Sequence, residues 1–486
     1  MDIEGGLANR PTTGTYNFNL RQGGRFEEYA FLDTGAAIND VTIAAGKFGN
    51  ETDIGGDLVI TGGILEVWDD FTIGSGSPSM SGGVIVLQSH WTNPWLNITG
   101  GTIRGLGAWL FTEDVYGQDF TFDWGGALGF GLDVEGSFEC ANVTHINDYE
   151  GTNVLKCTNS TSFNLGGPAP GLAIEVSVDI QIIADTTCYG FDQSAGLLYF
   201  NTTDHTISVG AGGFTTAPSG LPDHSVKVAF REDGNIDVNS RTPSNLHVPA
   251  GVTVTADESS LYVGALTGAG SIVANGAGYI FRFNPAGHNW LAGWTGTISG
   301  SSHVRVYNTS YASGGSLIVT GALGLRFEGY GTDTIAWDGD LAVTNDITVA
   351  GADSGTTTIN VATGRTVRCG GLKLGSDTVA DNAVLSVDGP FIVTGGITAG
   401  SANASATLKL NSSRVRLSGT FDGDGVTVTN TAARIVGGTI QNVDAHLTNT
   451  LKAYRATDGG SNQNVTFRKR LGSGSGGGLF RFGAVA

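Results

Sequence analysis

The chain has 486 residues, with 77 Gly, 11 Pro, 4 Cys and 2 Met, 40% hydrophobic and 14% charged residues, and a formal net charge of −20. Ordinary domains carry roughly 7% Gly and about 25% charged residues, so glycine is about doubled here and charge nearly halved. This excludes helical bundles and coiled coils, which need strong helix formers and charged faces, generic disorder, which lacks apolar residues, and collagen, whose glycines fall at every third position.

From the start, MDIEGGLANRPTTGT carries neither a basic nor an apolar leader, which leads to an expectation of synthesis in a cytoplasm with free thiols. The cysteines (Cys140, Cys157, Cys188, Cys369) form no CxxC pair. No run reaches the roughly 18 apolar residues of a membrane span. YNFNLRQGGRFEEYAF (16–31) predicts two strands about a Gly-Gly turn, and residues 1–54 read as an N-terminal β cap and candidate anchor. Between 55 and 162, TGG (61–63), SGG (81–83) and TGG (99–101) recur at steps of 20 and 18 residues, each followed by a β-branched residue. A coil of roughly 20 residues is one turn of a β-solenoid: short strands, corners where glycine supplies positive φ, and an apolar face buried only by stacking on the next coil. A string of β-sandwiches with similarly spaced hairpins is the alternative.

Residues 163–245 read differently. In AIEVSVDIQII (173–183), Ile174, Val176, Val178, Ile180 and Ile182 share one face, while Glu175, Ser177, Asp179 and Gln181 share the other. SVKVAFREDGNIDVNSR (225–241) predicts a hairpin about Asp233 and Gly234. Together they predict an antiparallel β-sandwich inserted between two solenoid regions, and they resemble the closing strands of concanavalin-like jelly rolls. From 246 to 450 the solenoid words return: LIVTG (317–321), FIVTGG (391–396) and RIVGGTIQNVD (434–444). Residues 451–486 hold six basic residues, Lys452, Arg455, Arg468, Lys469, Arg470 and Arg481, against one acid, Asp458. This basic, glycine-rich tail on an acidic body reads as a docking segment for an acidic partner, or as a plain flexible terminus.

LTGAGSIVANGAG (266–278) and WTGTISGSSHVRVYN (294–308) resemble the glycine-rich repeats of autotransporter passenger domains, which are right-handed parallel β-helices. VGGTIQNVD (436–444) resembles a coil of the β-helical spikes and fibres of tailed bacteriophages. Autotransporters carry a leader and a C-terminal membrane barrel, neither of which is read here, so the phage virion family is the better match. That resemblance implies an all-β right-handed β-helix, a homotrimer, virion localisation, contacts with other virion proteins, and a host glycan as a further partner. It implies a fibre, spike or capsid decoration protein; a tailspike-type polysaccharide depolymerase and a bacterial surface adhesin are the alternatives.

Depolymerases need two carboxylates about 5 to 9 Å apart. Asp338 and Asp340 in WDGD, and Asp422 and Asp424 in FDGDG, have the spacing to share a face, although Asp-Gly turns are ordinary between strands. The same turns are the one place for calcium; no other cofactor is expected. Trp91, Trp95, Trp109, Trp124, Trp290 and Trp294 are candidates for stacking on sugar rings, or for capping the coils. Cys140, His145, Cys157 and Cys188 lack zinc-site spacing. The acidic total argues against nucleic acid as a partner.

Overall fold

The computed structural model describes residues 2–3, 14–20, 25–27, 36–44, 47–50, 58–67, 71–72, 79–87, 91–93, 96–105 and 108–111 and, with gaps, 115–443 and 451–468. The chain divides into two compact units, Met1–Val238 and Asn239–Ala486. Among the described residues there is no helix, and within each unit the strands pair in parallel. Each unit is a parallel β-solenoid, as the repeats predict.

In the first unit the chain alternates between two sheets. One takes Leu58–Val67, Ser79–Leu87, Leu96–Gly105, Val115–Gln118, Phe138–Ala141, Thr161–Asn164 and Ile180–Ile182. The other takes Gly131–Val134, Asn153–Cys157, Leu172–Val176, Thr186–Gln193 and Thr206–Thr216. Ser79 pairs with Asn97 and Val115 with Phe138, so a coil takes about 20 residues. Period-2 alternation sets the inside: Leu155, Ile174 and Phe191 are in register and at most 1% exposed, while Lys156, Glu175 and Asp192 beside them point outward.

The TGG words lie at bends within long strands, where the register shifts. Gly83 has φ +83° there, and a Cβ on it would stand 2.7 Å from the Gly63 carbonyl oxygen. Glycine at this corner therefore does two things: it admits the left-handed backbone, and it lets successive coils stack at strand spacing.

The inserted antiparallel sandwich is not what 163–245 forms. Of the inward set in 173–183, Ile174, Val176, Ile180 and Ile182 are all buried, and Val178 lies outside the described residues. However, Leu172–Val176 and Ile180–Ile182 belong to different sheets, and each pairs in parallel with neighbouring coils. Lys227–Phe230 and Gly234–Asp237 both pair in parallel with Thr206–Thr216, so the chain bends at 231–233 without reversing. Gly234 is there for close approach: its Cβ would lie 3.1 Å from the Gly210 carbonyl oxygen. Likewise, Gly14–Leu20 and Arg25–Glu27 pair with Ala36–Ile43 and Lys47–Asn50 of the next coil.

The second unit becomes three-sided. One face carries Leu317–Val319, Leu341–Val343, Val367–Cys369, Pro390–Val393, Arg414–Leu417, Arg434–Val436, Leu451–Tyr454 and Val465–Arg468. A ten-stranded sheet includes Leu325–Gly329, Ile347–Gly351 and Leu372–Leu374, and a five-stranded sheet runs from Thr332–Trp337 to Val426–Asn430. Trp337, Trp290 and Phe327 fill the interior, with ring centroids of Trp337 to Trp290 and Phe327 at 5.7 and 5.5 Å, both edge-on. The corner between the last two sheets is polar inside. The Thr357 hydroxyl donates to the Ala350 carbonyl (3.0 Å) and accepts the Gly329 N–H (3.2 Å). The Asp381 carboxylate, fully buried, accepts the N–H groups of Ser376 (2.9 Å) and Gly351. Residues 451–468, read from sequence as the start of a tail, make further strands on this stack.

Candidate functional site

The candidate carboxylates sit at coil corners, where they bind backbone and amide groups of neighbouring coils. Asp338 Oδ1 accepts the Ser313 hydroxyl (2.6 Å) and the Gly314 N–H (2.7 Å), and its own N–H donates to Ser313 Oγ. Asp340 Oδ1 accepts the Thr366 N–H one coil on (2.8 Å), and its N–H donates to Ser316 Oγ (2.9 Å). Asp422 accepts the side-chain amides of Asn442 and Gln441 (both 3.0 Å) and the Asp424 N–H (3.2 Å). The Asn442 amide above all holds the Asp422 carboxyl below the usual carboxylate range; burial opposes it, and the Asp424 N–H and the Gln441 amide lower it further. Asp424 is exposed. Each bonded carboxylate ties one coil to the next. Among the described residues no group of three His, Cys, Asp or Glu side chains is placed to hold a metal ion.

Three of the tryptophans face inward. Trp124, Trp290 and Trp294 are at most 3% exposed, which leaves no ring face for a sugar. Trp91 and Trp109 are in register on adjacent strands, Trp91–Asn93 and Ala108–Phe111; their side chains, and Trp95 altogether, lie outside the described residues. Trp124 instead anchors an aromatic stack with Phe122 (4.8 Å) and His145 (6.0 Å). Its indole N–H donates to His145 Nδ1 at 2.8 Å, and His145 Nε2 lies 2.9 Å from the Leu165 carbonyl oxygen. An acceptor at Nδ1 and a donor at Nε2 define a neutral imidazole, and burial lowers the His145 pKa from 6.5 despite the Leu165 bond.

The consequence is a pH dependence of stability with a defined sign. Below pH 6.5 the unfolded chain takes up a proton at this position before the native chain does. The contribution of His145 to stability is therefore fully present above pH 6.5 and is lost as acid approaches the lowered native pKa. Denaturant titrations between pH 7.5 and pH 5, in steps of about half a unit, should show this slope, and His145→Gln should flatten it.

All four cysteine thiols are unpaired and buried. Burial raises every one of their pKa values, to about 12 for Cys188 and Cys369, so none is poised as a nucleophile.

Of the basic docking candidates, Lys452 and Arg468 are exposed on the last strands of the second unit and Arg455 is exposed at the bend after Leu451–Tyr454, whereas Lys469, Arg470 and Arg481 lie outside the described residues. Sequence reasoning missed their neighbours. Arg414 pairs with Arg434, and Arg434 with Lys452; Arg416 is in register with Val436, which pairs with Tyr454 and then Arg468. Arg368, two strands before Arg416, stands in the same column. The signal was present as Arg at alternate outward positions in VRC, RVRL and RIV, but only stacking shows that they share a face.

Comparison with protein-family models, with curated proteins and with solved structures finds no match.

Proposed function

We propose that the protein is a structural component of a bacteriophage particle, a fibre, spike or capsid decoration, assembled with other virion proteins and exposed on the surface. The observation that carries this reading is the use of Asp338, Asp340 and Asp422. The carboxylates best spaced for polysaccharide cleavage are instead bonded across coils, reinforcing a repetitive scaffold. The phage assignment itself rests on the resemblance of the solenoid words, VGGTIQNVD above all. A homotrimer and a host glycan as ligand belong to the same proposal, with Trp91, Trp95 and Trp109 as the remaining sugar-stacking candidates.

Mass spectrometry of purified particles tests the assignment: the protein should appear at structural stoichiometry, and its absence would sink the reading. Incubation of the pure protein with host capsule or lipopolysaccharide should release no new reducing ends. Robust release would establish the depolymerase alternative.

A further inference from the structure

The second unit carries a concentration of positive charge that its own fold does not explain. On the face formed by Val367–Cys369, Pro390–Val393, Arg414–Leu417, Arg434–Val436, Leu451–Tyr454 and Val465–Arg468, two outward columns run from coil to coil. One reads Pro390, Arg414, Arg434, Lys452, Thr466; the other reads Arg368, Ile392, Arg416, Val436, Tyr454, Arg468. All six basic residues are exposed, no carboxylate occupies either column, and none of the six pairs with a described acidic residue. Strands stack at about 4.8 Å, so Arg414, Arg434 and Lys452 are like charges set directly opposite one another, an arrangement that costs stability in a sheet. In a chain of net charge −20, six cations on one face, with no described acid opposite them, call for an external anion.

The first unit supplies the matching surface. Its outward column Asp133, Lys156, Glu175, Asp192, Thr215, Asp237 runs in register through six strands. Lys156 lies 3.3 Å from Glu175, and the other charges in the column are acidic. Glu175 and Asp192 are again like charges directly opposite, and burial together with Glu175 raises the Asp192 pKa. Both columns have the same strand repeat, so carboxylates of one meet guanidinium groups of the other at a common spacing. Arginine is suited to this, because its planar fork takes a carboxylate through two hydrogen bonds.

We infer that the basic face of the second unit and the acidic column of the first are the two halves of a contact between copies of this chain, the second unit of one copy seating on the first unit of another. The inference concerns how copies associate and stands apart from the particle that carries them.

Sedimentation velocity on the full chain tests it. The protein should associate at low salt and dissociate at about 0.5 M salt, where screening is effective beyond a few ångströms. Reversing the basic face (Arg414→Glu, Arg434→Glu, Lys452→Glu) or the acidic column (Glu175→Lys, Asp192→Lys) should weaken self-association roughly tenfold or more. Mixing the two variants should restore it, because the intact acidic column of the first then meets the intact basic face of the second. If a reversal disturbs folding, the glutamine versions at the same positions remove charge without introducing repulsion. A wild-type chain that stays monomeric at low salt overturns the inference, as do single-face variants that associate like wild type or a mixture that does not associate. A monomer that binds soluble polyglutamate through these arginines overturns it too, and gives the face to a foreign acidic partner.

Discussion

Replacing Trp337 by Ala should lower the stability of the second unit by about 3–5 kcal/mol, the usual cost of deleting a large buried aromatic. Trp337 is completely buried and stands edge-on to two other rings, so its loss removes dispersion contacts on two sides and leaves a cavity that neither Trp290 nor Phe327 can fill without leaving its own position. The effect should extend along the stack. Thr332–Trp337 is the first strand of the five-stranded sheet and pairs through its full length with Thr356–Val361, so a slackened first strand weakens the template for the next. Thermal unfolding and amide exchange measure both parts: a large fall in melting temperature, and loss of protection at Thr356–Val361 as well as at the mutated strand. Trp337→Phe, which keeps an aromatic ring in the cavity, should lose distinctly less. An alanine variant as stable as the parent would mean that the ring cluster adds nothing to the stack.

The sequence makes the inside of this fold legible and its strand directions illegible. Spacing of the TGG words gives the coil length, and alternation in 173–183 picks out the four buried residues described there, Ile174, Val176, Ile180 and Ile182. Alternation has the same period in parallel and antiparallel sheets, however, so the chain of Ile174, Val176, Ile180 and Ile182 could not reveal that it turns a corner between two sheets. Asp233 and Gly234 misled for a related reason. An Asp-Gly pair marks a tight change of direction, and a solenoid corner needs one as much as a hairpin does. The charged faces were the least legible. Arg414, Arg434 and Lys452 lie 20 and 18 residues apart in the chain and become neighbours only through coil register. The tryptophans were read by type, but their burial depends on which face of each strand turns inward. In a short aromatic segment such as TFDW (121–124), local pattern does not decide that.

The same logic shows how polar groups hold the stack together, and Asp381 is the sharpest case. Its carboxylate is wholly buried and receives N–H groups from Gly351 and Ser376, which lie on or beside the strands Ile347–Gly351 and Leu372–Leu374. It thereby satisfies backbone donors at a corner where the ladder between coils is interrupted. Asp381→Ala should leave both donors without a partner in a site with no room for bulk water. At about 1–3 kcal/mol for each buried group left unsatisfied, and more where the acceptor was charged, the loss should reach about 3–5 kcal/mol. Asp381→Asn keeps one carbonyl oxygen for one of the two donors but turns an amide NH2 toward the other, so it should fall between wild type and Ala. Chemical denaturation of the three proteins measures the order. Amide exchange at Gly351 and Ser376 separates this cause from a general loosening: these two amides should lose protection first in the alanine variant. If all three proteins unfold at the same denaturant concentration, the buried carboxylate is not what closes this corner.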